Sequence, residues 1–319
     1  MIQLKKYMLP AYIVILSCIG CQSGTPKPDV SNINIKLNYR RFEKDLFSID
    51  TTSMSASLNQ LDSVYPHFAK DFFAKLMGLD MNDTGKSYIA IKQFIVAYRP
   101  MLDSIALIEK DLSKAKDEVR SALQYAKYYF PEYTLPEEFV TYVGPMDVYL
   151  NTTIGGQTEL ITTNALCTGL ELRLGENSSF YNSLEGQQLY PQYMAKKFTP
   201  EYISVGCAKS LIDDIFPLKS RQNSLLDILV EQGRRMYLLD LLLPDKKEEF
   251  KLGYSPAQLK AAYYNEAYIW NYFIENKLLY DTDLMKIKSF ISDGPFTNEF
   301  GFDSPSYICL LYTSDAADE

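Results

Sequence analysis

A chain of 319 residues that is 47% hydrophobic carries enough apolar side chain for one large core or two small ones, which excludes general disorder. Its 32 Lys plus Arg against 40 Asp plus Glu leave a net charge of −8, and no basic stripe stands out, which argues against a nucleic-acid partner. Beyond residue 21 only Cys167, Cys207 and Cys309 remain, too few for a disulfide scaffold. Cys167 and Cys207 could pair in an oxidising compartment, although a free buried thiol at each is the simpler expectation.

The chain opens with Lys5 and Lys6, then an apolar run from Tyr7 to Gly20 with Pro10 inside it. That run is several residues short of the roughly 20 that cross a bilayer as a helix, and its length and charge order match a secretory signal. It ends in Ser17-Cys18 and Gly20-Cys21, which resembles a bacterial lipobox, where the cysteine is acylated and becomes the first mature residue. Gly20 before it and the polar "QSGTPKPDVS" after it favour Cys21, with Cys18 as the alternative. The expectation is a cleaved leader over 1–20, a multiply acylated (palmitate-type) cysteine that stays on its membrane, and a tether over 21–31.

Alternation of Ile33, Ile35, Leu37 and Tyr39 predicts a half-buried strand. "RRFEKDLF" starts a helical region. Leu58, Leu61 and Tyr65 keep helical spacing up to Pro66, and Phe68, Phe72 and Leu76 resume it up to Gly78. From Met101 to Phe130 the apolar stripe Leu102, Ile105, Leu112, Val119, Leu123, Ala126 predicts one long amphipathic helix or a helical pair, closed by Pro131. The middle, "EFVTYVG", "DVYLNTT", "TELITT" and "LCTGLELRLG", predicts a small sheet, with "TIGGQTE" as a tight turn that lacks the Lys and context of a phosphate-binding loop. Ser224 three residues before Asp227 marks a helix start, with Pro244 closing that helix, and Ser255-Pro256 marks another. In the latter, Ile269/Phe273 and Trp270/Ile274 stand one turn apart. Helices, a small central sheet, then helices predict one mostly helical α+β domain over residues 32–308. The last eleven residues, 309–319 ("CLLYTSDAADE"), fit nothing around them and resemble translated sequencing adapter, so the native C-terminus is expected to be missing.

Several blocks recur in order in a known family: "RRFEKDLFSID", "LELRLGENSSFY", "GRRMYLLDLLLPD", "LGYSPAQLKAAYYNEAYIWNYFIENKLLYDTD" and "GPFTNEFGFDSP". They resemble the GldB-type gliding-motility lipoproteins of the Bacteroidota, and the block around Asn265, Glu266 and Trp270 is the most specific. These lipoproteins are in turn distantly similar to predicted zinc peptidases. The resemblance therefore implies a degenerate zincin-like architecture and a lipid-anchored envelope protein. It also implies motility and linked secretion proteins as partners. No acidic run of the kind expected for surface export in this phylum follows Cys21, which leans to the periplasmic face.

In a zinc peptidase, H-E-x-x-H on a helix supplies two ligands and a general base, and a later helix supplies the third ligand. The corresponding helices here are "VGCAKSLIDDIFP" and "LVEQGRRMY". The first offers Gly206, Cys207, Ala208, Lys209 and Ser210, with no His and with a Lys whose charge would repel zinc. His67 is the one histidine in the chain. Cys207, Asp213, Asp214 and Glu231 could in principle hold a metal without histidine, but charged helix residues are more often a solvated face. A Cys–His nucleophile would need Cys167 or Cys207 to meet His67. The expectation is no cofactor, no metal and no catalysis, with function through protein contacts. An envelope hydrolase with non-histidine ligands is the alternative. A glycan-binding module, suggested by 25 Tyr and by Asn265 and Glu266 beside Trp270, is the third reading. The tripeptides beginning at Asp50, Asp62 and Asp103 resemble short O-glycosylation signals, a weak signal.

Overall fold

The computed structural model describes residues 27–147, 158–190, 192–217 and 224–291. Cys18, Cys21, the expected "DVYLNTT" strand from Val148 on, the 153–157 part of the glycine turn and the adapter-like end lie outside them. Four strands form one mixed sheet: β1 (Asn38–Arg41), β2 (Glu138–Tyr142), β3 (Leu160–Ile161) and β4 (Ala165–Gly169), in the order β1-β2-β4-β3. β1 and β4 flank β2 in parallel, and β3 closes the far edge antiparallel to β4. The helices are α1 (Phe42–Ser48), α2 (Met54–Val64), α3 (Ala69–Asp71), α4 (Thr84–Tyr98), α5 (Met101–Leu107), α6 (Glu109–Tyr129), α7 (Ser179–Asn182), α8 (Leu184–Leu189), α9 (Gln192–Ala195), α10 (Ile203–Ile215), α11 (Leu225–Leu242), α12 (Glu248–Leu252), α13 (Pro256–Glu275) and α14 (Leu284–Ile291). The class is mostly helical α+β, as expected.

Parallel strands β1 and β2 need a crossover, and α1 to α6 supply it. Strand β4 is buried throughout and β2 nearly so, and neither "ALCTG" nor "EFVTY" shows the polar–apolar alternation of a strand with one wet face, Thr168 and Thr141 being buried with their neighbours. The first strand lies further along than the alternation predicts. Ile33, Ile35 and Leu37 do pack inward, but their carbonyls are taken by side chains of α6. Gln124 Nε2 donates to Ile33 O (2.9 Å), and the Arg120 guanidinium donates to Ile35 O and Leu37 O (3.4 and 3.3 Å). The ladder starts only at Asn38, where Glu138 comes alongside. At the other end, "LELRLG" leaves the sheet as a single 3-10 turn over Leu170–Leu172.

Phe42 sits at the centre of an aromatic cluster, with ring centroids 5.0 Å from Tyr65 and 4.8 Å from both Phe68 and Phe72. The edge-on and tilted geometries are the favoured ones for aromatic quadrupoles. After Pro66 the chain re-enters helix and widens to a π-turn over Phe72–Leu76, ending at Gly78, whose positive φ of 64° a side chain would resist. The 101–130 stripe resolves into the pair α5 and α6, broken at Ile108.

A second, smaller core lies beyond the main one. Leu225, Leu229, Leu252, Tyr254, Ile269, Phe273, Ile287 and Phe290 bury against each other, and α11 joins the two because Leu239 and Leu242 belong to the main core. Both long C-terminal helices begin with capping boxes, Ser224 with Asp227 and Ser255 with Gln258, the second with Pro256 at the first turn. Among the described residues no helix is long and apolar enough to cross a membrane.

Candidate functional site

The helix that corresponds to the ligand-bearing helix of a zinc peptidase is α10, which lies across β3 and β4 and is flanked by α6 and α11. Cys207, Ala208 and Leu211 face the core. Gly206 and Ser210, one turn apart, meet the residues entering β3. A Cβ at position 206 would fall inside 3.0 Å of the Glu159 side chain, closer than real Cβ atoms approach, so only Gly fits. Ser210 Oγ donates to the Glu159 carbonyl at 3.2 Å.

Glu159 thus occupies the space over this face, and it is fully engaged. Its Oε1 accepts from Arg173 Nη2 (2.6 Å) and Thr168 Oγ1 (2.8 Å), and Oε2 accepts from Thr158 Oγ1 (3.2 Å). The two charged side chains are 4% and 9% exposed. Arg173 Nη1 also donates to Leu172 O at 2.7 Å. Removing one partner of such a buried pair leaves an uncompensated charge, which costs about 3–5 kcal/mol.

A second carboxylate lies beside the first and is handled differently. Glu171 is fully buried, and its Oε2 accepts from Gly144 N–H at 2.8 Å. Among the described residues its Oε1 has no hydrogen-bond partner. It backs onto Gly169, where a Cβ would again fall inside 3.0 Å. Burial pushes the Glu171 carboxyl up to about 7, against the opposing pull of Gly144 N–H and Arg173. Tyr181 steadies the turn, donating to Glu171 O (2.7 Å) and accepting from Leu174 N–H (3.1 Å). Tyr142 ties the end of β2 to the same corner by donating to Thr158 O at 2.6 Å.

The residues singled out from sequence do not converge. Cys207 is fully buried, and burial, then Glu159, push its thiol far above the ordinary range, which makes it a poor ligand and a poor nucleophile. Arg235 pairs with both Asp213 and Glu231 (3.1 Å to the latter), and Asp214 accepts from Tyr133 Oη at 2.5 Å. Asp213 and Glu231 thus share the Arg235 cation, Asp214 is held by Tyr133 and Cys207 is shut in the core, and among the described residues no group of three or more His, Cys, Asp or Glu could hold a metal ion. Cys167 and Cys207 are both free thiols. His67 is exposed beside Pro66.

One expectation is corrected. Lys209 points to solvent, and the cation at the face in question is Arg173, reaching in from beyond β4. In α13, Asn265 and Glu266 are half-buried, Asn265 Nδ2 donates back to Ala261 O (2.8 Å), and Trp270 packs on the second core. The aromatic face is only partly inward: Ile269 and Phe273 are buried, while Tyr263, Tyr264, Tyr268 and Ile274 are exposed.

Sequence reading missed Glu159, Glu171 and Arg173. Glu171 and Arg173 alternate with leucines in "LELRL", which reads as the solvent-facing side of a strand, and Glu159 follows Thr158 in the polar start of "TELI". The faint signal is a Glu and an Arg two residues apart, on one side of a leucine-rich stretch.

What this geometry defines is a mostly helical α+β domain whose sheet edge and central helix enclose a closed polar cluster. The chain belongs to the gliding motility protein GldB family, whose model matches residues 23–310. Membership associates it with gliding motility and with lipid-anchored proteins of the cell envelope. No curated protein and no solved structure matches the chain.

Proposed function

We propose that this chain is a non-catalytic lipoprotein, acylated at Cys21 and facing the periplasm, that supports the gliding machinery and its linked secretion system through protein contacts. Its domain is a decayed peptidase-like one. The observation that carries this reading is the face of α10 at Gly206 and Ser210. Where a related hydrolase would place two imidazoles one turn apart, a Gly and a Ser instead close onto the buried Glu159–Arg173 pair. A bound zinc ion there would meet the Arg173 charge, and Glu159 has already committed both oxygens.

The test is elemental analysis of the purified chain together with cleavage of casein-type substrates with and without added zinc. The expected result is no stoichiometric metal and no metal-dependent cleavage. Bound zinc with cleavage would replace this reading with the envelope hydrolase. In cells, a photocrosslinking residue at Tyr264 or Tyr268 on the exposed side of α13 is expected to capture another envelope protein. Co-sedimentation with insoluble peptidoglycan would favour the glycan-binding alternative instead.

A further inference from the structure

We infer that the C-terminal end of α6, with the end of α10 beside it, is a membrane-contact surface that seats the domain against the bilayer holding its anchor. The inference rests on the reading of Cys21 as the acylated residue. Six residue-to-residue steps lead from Cys21 to Lys27, where the described chain begins. At about 3.6 Å per residue they span at most about 22 Å. The domain surface around Lys27 therefore cannot stand far from the headgroups.

The structure shows what lies at that surface. Going back from Leu37 to Ile33 the chain moves from Arg120 to Gln124 of α6, so it enters at the C-terminal end of that helix. Lys27 Nζ lies 5.8 Å from the centre of the Tyr125 ring and pairs with Asp245. One helical turn on, Tyr128 and Tyr129 stand edge to face at 5.0 Å, Tyr129 adjoins Phe130 at 6.5 Å, and Phe130 meets Phe216 at 5.4 Å. Tyr128 is 50% exposed and Phe216, just past α10, is 44% exposed. Contiguous half-exposed aromatic rings suit the interface between water and hydrocarbon, where the ring leaves water and a phenol keeps its hydrogen bonds.

The charges beside these rings are of both signs, so they give no net basic patch. Lys27 is paired with Asp245, while Lys127, bonded to Pro131 O (2.6 Å), and Asp214, which accepts from Tyr133, add one of each. Acyl chain and aromatic rim together give two membrane signals, the combination that holds a protein stably and in one orientation.

The test uses the full lipidated chain on phosphatidylcholine vesicles with brominated acyl chains. Tryptophan is introduced by Tyr128→Trp or, as control, Leu107→Trp. Position 107 is 85% exposed and lies beyond the other end of α6, about 30 Å away at 1.5 Å per residue. Trp270 is a constant background in both. The expected result is several-fold stronger quenching of the added emission for Tyr128→Trp than for Leu107→Trp, unchanged by adding anionic lipid. In the unsubstituted chain, deuterium uptake over 126–133 should fall on vesicles while uptake over 103–110 stays the same.

Equal quenching at both positions, or protection at neither segment, in a chain whose mass shows acylation would overturn the membrane-contact surface and leave the lipid anchor standing. Quenching that requires anionic lipid would overturn it as well, since charge would then be the driving term. A mature chain without acyl mass that stays in solution would overturn both the surface and the anchor on which it rests.

Discussion

Glu171 makes the stability of this protein depend on pH in a direction opposite to most carboxylates. Its folded value is about 7 against an ordinary 4.5, because burial penalises the charged form. A group raised in the folded state contributes stability that is fully present below its unfolded value. That contribution falls as pH rises above 4.5 and is gone above about 7. Each tenfold step is worth about 1.4 kcal/mol, so the separation amounts to about 3 kcal/mol across the window. In Glu171→Gln the side chain keeps an oxygen for Gly144 N–H and cannot ionise. Urea denaturation of both proteins at pH 5 and pH 8 measures the effect free of the other titrating groups, which cancel in the difference. The stability of the wild type relative to Glu171→Gln should fall by about 2.5 kcal/mol between the two pH values, slightly less than the full window because pH 5 already lies above 4.5. Parallel behaviour of the two proteins would show that Glu171 ionises freely in the fold, and the desolvation argument would be wrong.

Three further outcomes follow from the closed polar cluster. Arg173→Met leaves Glu159 buried without its cation and should destabilise by about 3–5 kcal/mol, with Glu159→Gln added to it recovering a substantial part; a loss near zero in urea denaturation would mean that the pair is solvated. Gly206→Ala should cost about 1–3 kcal/mol by forcing the Glu159 side chain aside, and an unchanged midpoint would show that the contact between α10 and Glu159 is loose. Cys167 and Cys207 should resist thiol reagents in the native protein and react at full rate in denaturant, and rapid native labelling of either would contradict their burial.

Much of the helical framework was legible because its signals are local. Ser224 with Asp227, and Ser255 with Pro256, announce α11 and α13, since a cap is satisfied within one turn of chain. The family blocks, and the absence of an H-E-x-x-H pattern from α10, are equally matters of sequence. Alternation misplaced β1, however, because Ile33 to Leu37 have the pattern of a strand but find side chains of α6 where a neighbouring strand would be. It also hid Glu171 and Arg173, whose spacing with leucines is the same whether the polar side meets water or protein.

The sequence alone determined the starts of α11 and α13, the fold class and the family, and it holds a single histidine where an imidazole-based metal site needs more. Only the tertiary structure decided that Glu159 and Arg173, fourteen positions apart, meet under Gly206, that Glu171 is buried beside them, and that α13 keeps aromatic rings on both faces. Caps and periodicity depend on backbone groups within a few residues. Whether a charge is solvated or paired depends on which surface folds over it, and that is settled by segments distant in the chain.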